Sequence, residues 1–431
     1  MDNTVLPNSS QTNPDKLSPG AKNGAEQVKV RALLLQKHLI EWFENEQSGM
    51  QTAIQQSILG TDFTSSDIYF QLSTIKSRLV AGDLVRWVEK SYGEEDSQVN
   101  EPEQNEQEDH EVDSPPYEQT HVLCIHAGNL PLVGLQDALA VLLAGFSYTG
   151  KISRKDPYLL VSILKWLVHR GWQAQIQHWS IETVGIPSKN YQEVLFSGLE
   201  SSLTTLKNIL VKAEIIESQT TWLNRTASFS MAYCPNKEMV KKHASQLIEA
   251  VVRHGGKGCR SVGVVVCPVG LSELQNPLEE ALKSTLVEAE IEANPDSKLV
   301  KQEAKKNKLT SVAYKKAYNL AIDRTFLCVG DWLIEEHSVE QVPEPRSNRV
   351  VYWVKADVEV LGSLVERFGL ALQSVYYLGA DNSSLEGLLK AFSNIESIDY
   401  AQRPPLYWKP DGVDVLRYLC CLLYTSDACR R

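Results

Sequence analysis

Apolar and polar residues alternate along this chain in three distinct textures. From Val28 to Glu46 the residues Leu33, Leu34, Leu39, Ile40, Trp42 and Phe43 recur at helical spacing, and a second helical stretch runs from about Asp67 to Tyr92. After residue 117 short apolar runs alternate with helical ones. His121–Ile125, Tyr148–Ile152, Ala174–Trp179 and Glu193–Phe196 read as strands. Leu132–Leu143, Tyr158–His169 and a stretch from Ser197-Gly198 to about Val211 read as helices. A second block repeats the alternation. It has an amphipathic helix over Met239–His254, a glycine turn at Gly255–Gly258, a buried-type strand at Val262–Val266, a helix over Leu271–Ala293, and strands at Thr325–Val329 and Val350–Val354. This order predicts an α/β protein with mostly parallel sheets and helices on both faces.

The organisation that follows is a disordered N-terminus at 1–27, a helical region at 28–92, an acidic linker at 93–117, α/β blocks at 118–230 and 231–400, and a return segment at 401–419. The tail from Cys420 to Ala428 resembles translated sequencing-adapter read-through. Residues 420–431 therefore read as non-native, and Cys420, Cys421 and Cys429 carry no functional expectation.

Charge sharpens this picture. The chain has 431 residues and a formal net charge of −11. Ten acidic residues and no Lys or Arg lie between Glu94 and Asp113, so the rest of the chain carries only −1. No basic face for nucleic acid is expected. The eight cysteines are scattered, without Cys-x-x-Cys pairs, so neither a disulfide framework nor a metal site is implied. The polar N-terminus has no apolar signal core, and no apolar run is long enough to span a bilayer. A reducing cytoplasm is the expected compartment. The basic stretch Lys301–Lys308 reads as exposed.

Four constellations can carry chemistry. Cys259 lies in Gly-Gly-Lys-Gly-Cys-Arg-Ser, between a helix and a strand. Glycines let the backbone bend and a substrate approach, and a neighbouring backbone N–H can face an oxyanion. His254, Lys257 and Arg260 offer positive charge that would lower the thiol pKa. The residues alone equally allow a structural core cysteine. Asn129, in the loop His126-Ala127-Gly128-Asn129-Leu130-Pro131, is either a turn residue or an amide donor at the carboxyl edge of a sheet. Lys151, Ser153, Arg154 and Lys155 follow a strand and are either solvated or suited to a ribose or phosphate. Ser197-Gly198 opens a helix whose N-terminus can face a pyrophosphate, though the three-glycine fingerprint is incomplete.

The order of these motifs resembles the aldehyde dehydrogenase superfamily. The local wording is similar to the LuxC-type acyl-CoA reductases: His126–Gly134, Gly150–Asp156, Asn224-Arg225-Thr226 and Gly255–Val262 carry it. The resemblance covers about His121 to Leu419 and adds nothing specific before it. It implies an aldehyde dehydrogenase-like fold, with a Rossmann-type cofactor domain over 118–230 and an α/β catalytic domain over 231–400. It implies Cys259 as nucleophile and Asn129 as the oxyanion-hole amide. Lys151 and Ser153 match contacts to the adenosine ribose, Lys155 or Arg154 suits a 2′-phosphate, and Ser197 and Gly198 match the turn beneath the pyrophosphate. The cofactor implied is NADPH, with NADH open, and CoA is the carrier. One departure stands out. Hydrolytic members carry a Glu-Leu-Gly-Gly element whose carboxylate activates water, whereas Leu223–Phe229 here has none. Without that base, transfer to or from a thiol is favoured over hydrolysis.

The resulting expectation is NADPH-dependent reduction of a fatty acyl-CoA or acyl-carrier thioester to the aldehyde. A CoA-independent aldehyde dehydrogenase is one rival. A non-catalytic scaffold subunit of an acyl-transfer complex is another. Acyltransferase or ligase subunits are possible partners, and a homo-oligomer is compatible with the family.

Overall fold

The computed structural model describes residues 24–93, 120–177, 191–291, 312–345, 349–379, 383–389 and 392–421. The acidic linker, the basic stretch at 301–308 and residues 422–431 lie outside these. The chain opens with α1 (Gly24–Glu44), α2 (Met50–Gly60), α3 (Ser65–Val80) and α4 (Asp83–Gly93). The first helix begins at Gly24, so residues 24–27 belong to it rather than to the disordered N-terminus expected there. Its buried stripe is Val28, Ala32, Leu35, Leu39 and Trp42, while Leu33 is 53% exposed. The stripe recurs every three to four residues, as one face of a helix requires. The Met50–Gly60 helix was not anticipated.

The first sheet contains β1 (His121–Ile125), β2 (Ser147–Lys151), β3 (Ala174–Gln177), β4 (Tyr191–Ser197) and β5 (Thr221–Arg225), with α5 (Leu135–Ala144), α6 (Leu159–Val168) and α7 (Glu200–Lys212) between them. Its order is β3-β2-β1-β4-β5, and all its pairs are parallel. The order reverses between β1 and β4. Open α/β sheets take ligands at the carboxyl ends of strands flanking such a reversal. Helices α1–α4, α5 and α6 share one apolar core with this sheet. The indole N–H of Trp42 donates to Ser162 Oγ at 3.2 Å, and that of Trp166 to the His38 carbonyl at 2.8 Å.

The second sheet contains β6 (Phe229–Tyr233), β7 (Val262–Cys267), β8 (Phe326–Val329), β9 (Trp332–His337), β10 (Val350–Lys355), β11 (Leu372–Tyr377) and β12 (Ile395–Ser397). Its order is β12-β11-β6-β7-β10-β9-β8, parallel except for β8 against β9. Around it lie α8 (Lys237–Lys242), α9 (Ala244–Val252), α10 (Gln275–Ile291), α11 (312–321), α12 (Val360–Phe368) and α13 (Ser383–Leu388), and the chain then ends its described part in α14 (Val415–Cys421). β6 starts at Phe229, two residues inside the segment assigned to the first block. The helix expected over Met239–His254 breaks at His243. That expected from Leu271 starts as a short 3-10 turn before α10. β7 is buried at every position, as its Val-rich run predicts for a central strand.

The C-terminal helix α14 returns to the first core, where Val415, Leu416, Leu419 and Cys420 are buried. Cys420, assigned from sequence to a non-native tail, is thus part of a packed helix. No helix among the described residues is long and apolar enough to cross a membrane.

Candidate active site

The loop after β1 is built on a buried polar network. His126 ends β1 and sits 2.7 Å from Tyr148 Oη through Nε2. Its Nδ1 lies 3.5 Å from Asp137 on α5, and Arg225 at the end of β5 donates to the same Asp137 oxygen. Burial alone would raise the Asp137 pKa, but Arg225 and His126 hold it well below the usual carboxylate range. Gly134 leaves room for this ring, since a Cβ there would meet His126 at 2.5 Å.

The loop then turns at Leu132, a non-glycine residue at φ 59. Its N–H donates to Asp156 Oδ2 at 2.7 Å. Burial pushes the Asp156 carboxyl up to about 6. The loop also packs on the end of β2, because a Cβ on Gly128 would strike Ser153 and Lys155. Lys151 closes β2, and burial lowers its pKa, with Arg154 adding to the effect. Ser153 Oγ accepts the Lys155 N–H at 3.3 Å. Ser197 and Gly198 end β4, on the other side of β1, and α7 begins two residues later with no side-chain cap on its first turn. Asn129, Lys151, Ser153, Lys155, Ser197 and Gly198 therefore share one carboxyl edge.

Cys259 comes to this edge from the other sheet. Asn129 Nδ2 donates to the Lys257 carbonyl at 2.7 Å, and Gly258 lies against Leu130. Asn129 Oδ1 is buried without a partner. The thiol is half-buried in a turn closed by Ser261 N–H to the Gly258 carbonyl at 2.9 Å. Ser230 Oγ donates to the Cys259 carbonyl at 2.9 Å, fixing the turn on β6.

The expected lowering of the thiol pKa is not what these surroundings produce. Burial pushes the Cys259 thiol up to about 11. Arg260 and Arg225 oppose this but do not overcome it, and Asp411 adds to it. His254 contributes no charge at neutral pH, because burial lowers its pKa to about 4. It faces Asp67 at 3.5 Å. The Arg260 side chain lies 5.2 Å from the Trp408 ring, and its Nη1 has no hydrogen-bond partner.

The 223–229 stretch carries no carboxylate of its own, yet one is brought to it. Asp411, at φ 51, accepts the N–H groups of Thr226 at 2.9 Å and Ala227 at 3.2 Å through Oδ2. With the Gln373 amide oriented to satisfy both its ends, its N–H donates to Oδ1 at 2.7 Å. Nothing local in the sequence marks Asp411, since it reaches Thr226 from 185 residues away. Glu396 on β12 is also close to this region. Burial pushes it up to about 7, with Arg260 and Trp408 only partly opposing.

No family model matches the sequence, and no curated protein does. Solved structures share its fold. Methylmalonate-semialdehyde dehydrogenase from Oceanimonas doudoroffii is 13% identical with a TM-score of 0.58, and the match covers 91% of this chain and 84% of that one. AldH from Staphylococcus aureus is 12% identical with a TM-score of 0.53, covering 87% and 81%. The fold is that of the aldehyde dehydrogenases. Proline utilization A from Bradyrhizobium japonicum is 14% identical with a TM-score of 0.56, and this chain spans 41% of its length. Within this fold the Asn129 loop of the first sheet and the Cys259 turn of the second are in direct contact.

Proposed function

We propose that this chain reduces an acyl-CoA or acyl-carrier thioester, a fatty acyl one on its motif wording, to the aldehyde through a Cys259 acyl-enzyme. The observation that carries the reading is the bond from Asn129 to Lys257, which sets an amide from the cofactor-type sheet beside the one cysteine in a glycine turn. One Asn129 N–H holds the turn. The other is free to meet an oxyanion, together with the Cys259 backbone N–H.

A nicotinamide cofactor suits the first sheet. The uncapped first turn of α7 leaves N–H groups for a pyrophosphate, and Lys151 and Ser153 would hold the ribose, with Lys155 near a 2′-phosphate. When bound, that cofactor supplies the hydride that converts the acyl carbon to an aldehyde. The Cys259 sulfur attacks the thioester carbonyl, the bond to CoA breaks, the thiol proton passes to the leaving CoA thiolate, and aldehyde release returns Cys259 as a thiolate that takes a proton from solvent.

Asp411 bears on the rival reading. A carboxylate beside Thr226 and Ala227 stands near the element where hydrolytic members carry their base. Its oxygens, however, already accept two backbone N–H groups and one amide. Burial raises its pKa against those bonds and against Arg225, so its basicity is not lost, but the three bonds engage both of its oxygens. Thiol transfer is therefore favoured over hydrolysis. The test is NAD(P)H oxidation with acyl-CoA of several chain lengths, with products identified. Aldehyde formation dependent on Cys259 is expected. Acid formation from aldehyde without CoA would instead support the CoA-independent aldehyde dehydrogenase reading.

A further inference from the structure

The turn that carries Cys259 is gripped from outside its own sheet. Residues His254, Gly255 and Gly256 lie in succession at φ 55, 66 and 68. Glycine adopts this left-handed region freely, and histidine does not. His254 is 5% exposed and is held there by α3 of the N-terminal helices. Its N–H donates to Asp67 Oδ1 at 3.0 Å. Asp67 is itself aimed. Thr64, the N-cap of α3, donates through Oγ1 to Asp67 Oδ2 at 2.8 Å and accepts the Asp67 N–H at 3.0 Å. One carboxylate oxygen is thus fixed on the helix end and the other on the strained residue.

The neighbours reinforce the contact. Arg253 donates to Ser66 Oγ at 3.2 Å and lies 4.2 Å from the Phe70 ring. Arg403 lies 4.5 Å from the same ring, and both arginines bond Glu249 on α9. The segment 254–259 is therefore pinned at three points, by Asp67 at His254, by Asn129 at Lys257 and by Ser230 at Cys259, and only the first of these comes from the N-terminal helices.

We propose that Asp67 is a positioning residue for Cys259, so that the N-terminal helices are part of the active centre rather than an appendage to it. The inference rests on the reading of Cys259 as the nucleophile, but its test needs no acyl thioester. Iodoacetamide is added to the full chain at pH 8, and carbamidomethylation of the Cys259 peptide is followed by mass spectrometry, with thermal melts as a folding control. Freed from its anchor, the turn exposes the thiol and lowers its pKa. Asp67→Ala is then expected to speed Cys259 alkylation about 10-fold. Adding His254→Gly, which sits at positive φ unaided, returns the rate to within about 2-fold of wild type. Where Asp67→Ala does not fold, Phe70→Leu loosens the same contact and is expected to give a smaller rise. An unchanged rate in the folded single variant, or no recovery in the double variant, overturns the proposal. If the rates shift and recover while the wild-type chain reduces no thioester, Asp67 keeps its role and the reading of the reaction falls.

Discussion

Two loops meet at the candidate site, and each turns on a non-glycine residue whose N–H is taken by an aspartate. In the loop after β1 that residue is Leu132, and Asp156 lies 24 residues away on the same sheet's connections. In the loop before β7 it is His254, and Asp67 lies 187 residues away in the N-terminal helices. The first loop is completed by the sheet that bears it and rests on the His126–Asp137–Arg225 network. The second is completed only when α3 docks. Left-handed non-glycine residues cost about 1–3 kcal/mol each and persist where surroundings over-determine them. Local and distant aspartates achieve the same end, with different consequences for what must fold first.

The largest expected effect lies beneath the β1 loop. Arg225→Met strands the buried Asp137 charge and is expected to cost about 3–5 kcal/mol in urea unfolding. Arg260→Met, near the other loop, removes a guanidinium stacked on Trp408 and is expected to cost about 1 kcal/mol. Equal losses would erase the distinction between the two supports.

The supporting aspartate of the β1 loop can be tested by pH. Its folded pKa, about 6, lies above the unfolded 3.8. The stability it contributes is therefore full below pH 3.8 and is lost as pH rises through 6. Asp156→Asn keeps an acceptor for Leu132 and removes the buried charge. Relative to wild type it is expected to gain on the order of 2–3 kcal/mol at pH 8 and nothing near pH 4. The same change at both pH values contradicts this assignment.

Asn129→Ala cuts the bond that joins the loops. Turnover is expected to fall about 100-fold, with cofactor affinity unchanged as measured by fluorescence titration. A matching loss of cofactor affinity would move Asn129 from the reaction to cofactor binding. The smallest effect is that of Arg260→Gln, expected to slow Cys259 alkylation by about 3-fold at pH 8, on a wild-type profile that climbs about 10-fold per pH unit from 7 to 10. A plateau beginning near pH 8 would show that burial does not govern the sulfur.

Much of this arrangement is legible in the chain. Strands β1, β2, β4, β7 and β10 announce themselves as apolar runs beside turn residues, and the parallel α/β class follows. Less is legible where structure is made by distant partners. β5, β6, β9, β11 and β12 carry no clear signal in the sequence: several hold polar residues that tertiary pairing overrides, and β12 is very short. The buried stripe of α1 differs from the one its leucines predict, because Leu33 points to solvent and Val28, Ala32 and Leu35 turn inward. Asn129 and Cys259 stand out through local glycine chemistry, but Asp67, Asp156 and Asp411 act through backbone N–H groups that no pattern marks. The cations near Cys259 in sequence predict a lowered thiol pKa, the opposite of what folding produces. Burial decides it, and burial is a property of the folded chain.

The central claim, that Cys259 receives an acyl group from a thioester, has a direct test. The intact protein is incubated with an acyl-CoA in the absence of NADPH, and its mass is measured beside that of Cys259→Ala. The account predicts one acyl adduct on wild type, located on the Cys259 peptide, and none on the variant. No adduct on wild type, or an equal adduct on Cys259→Ala, contradicts it.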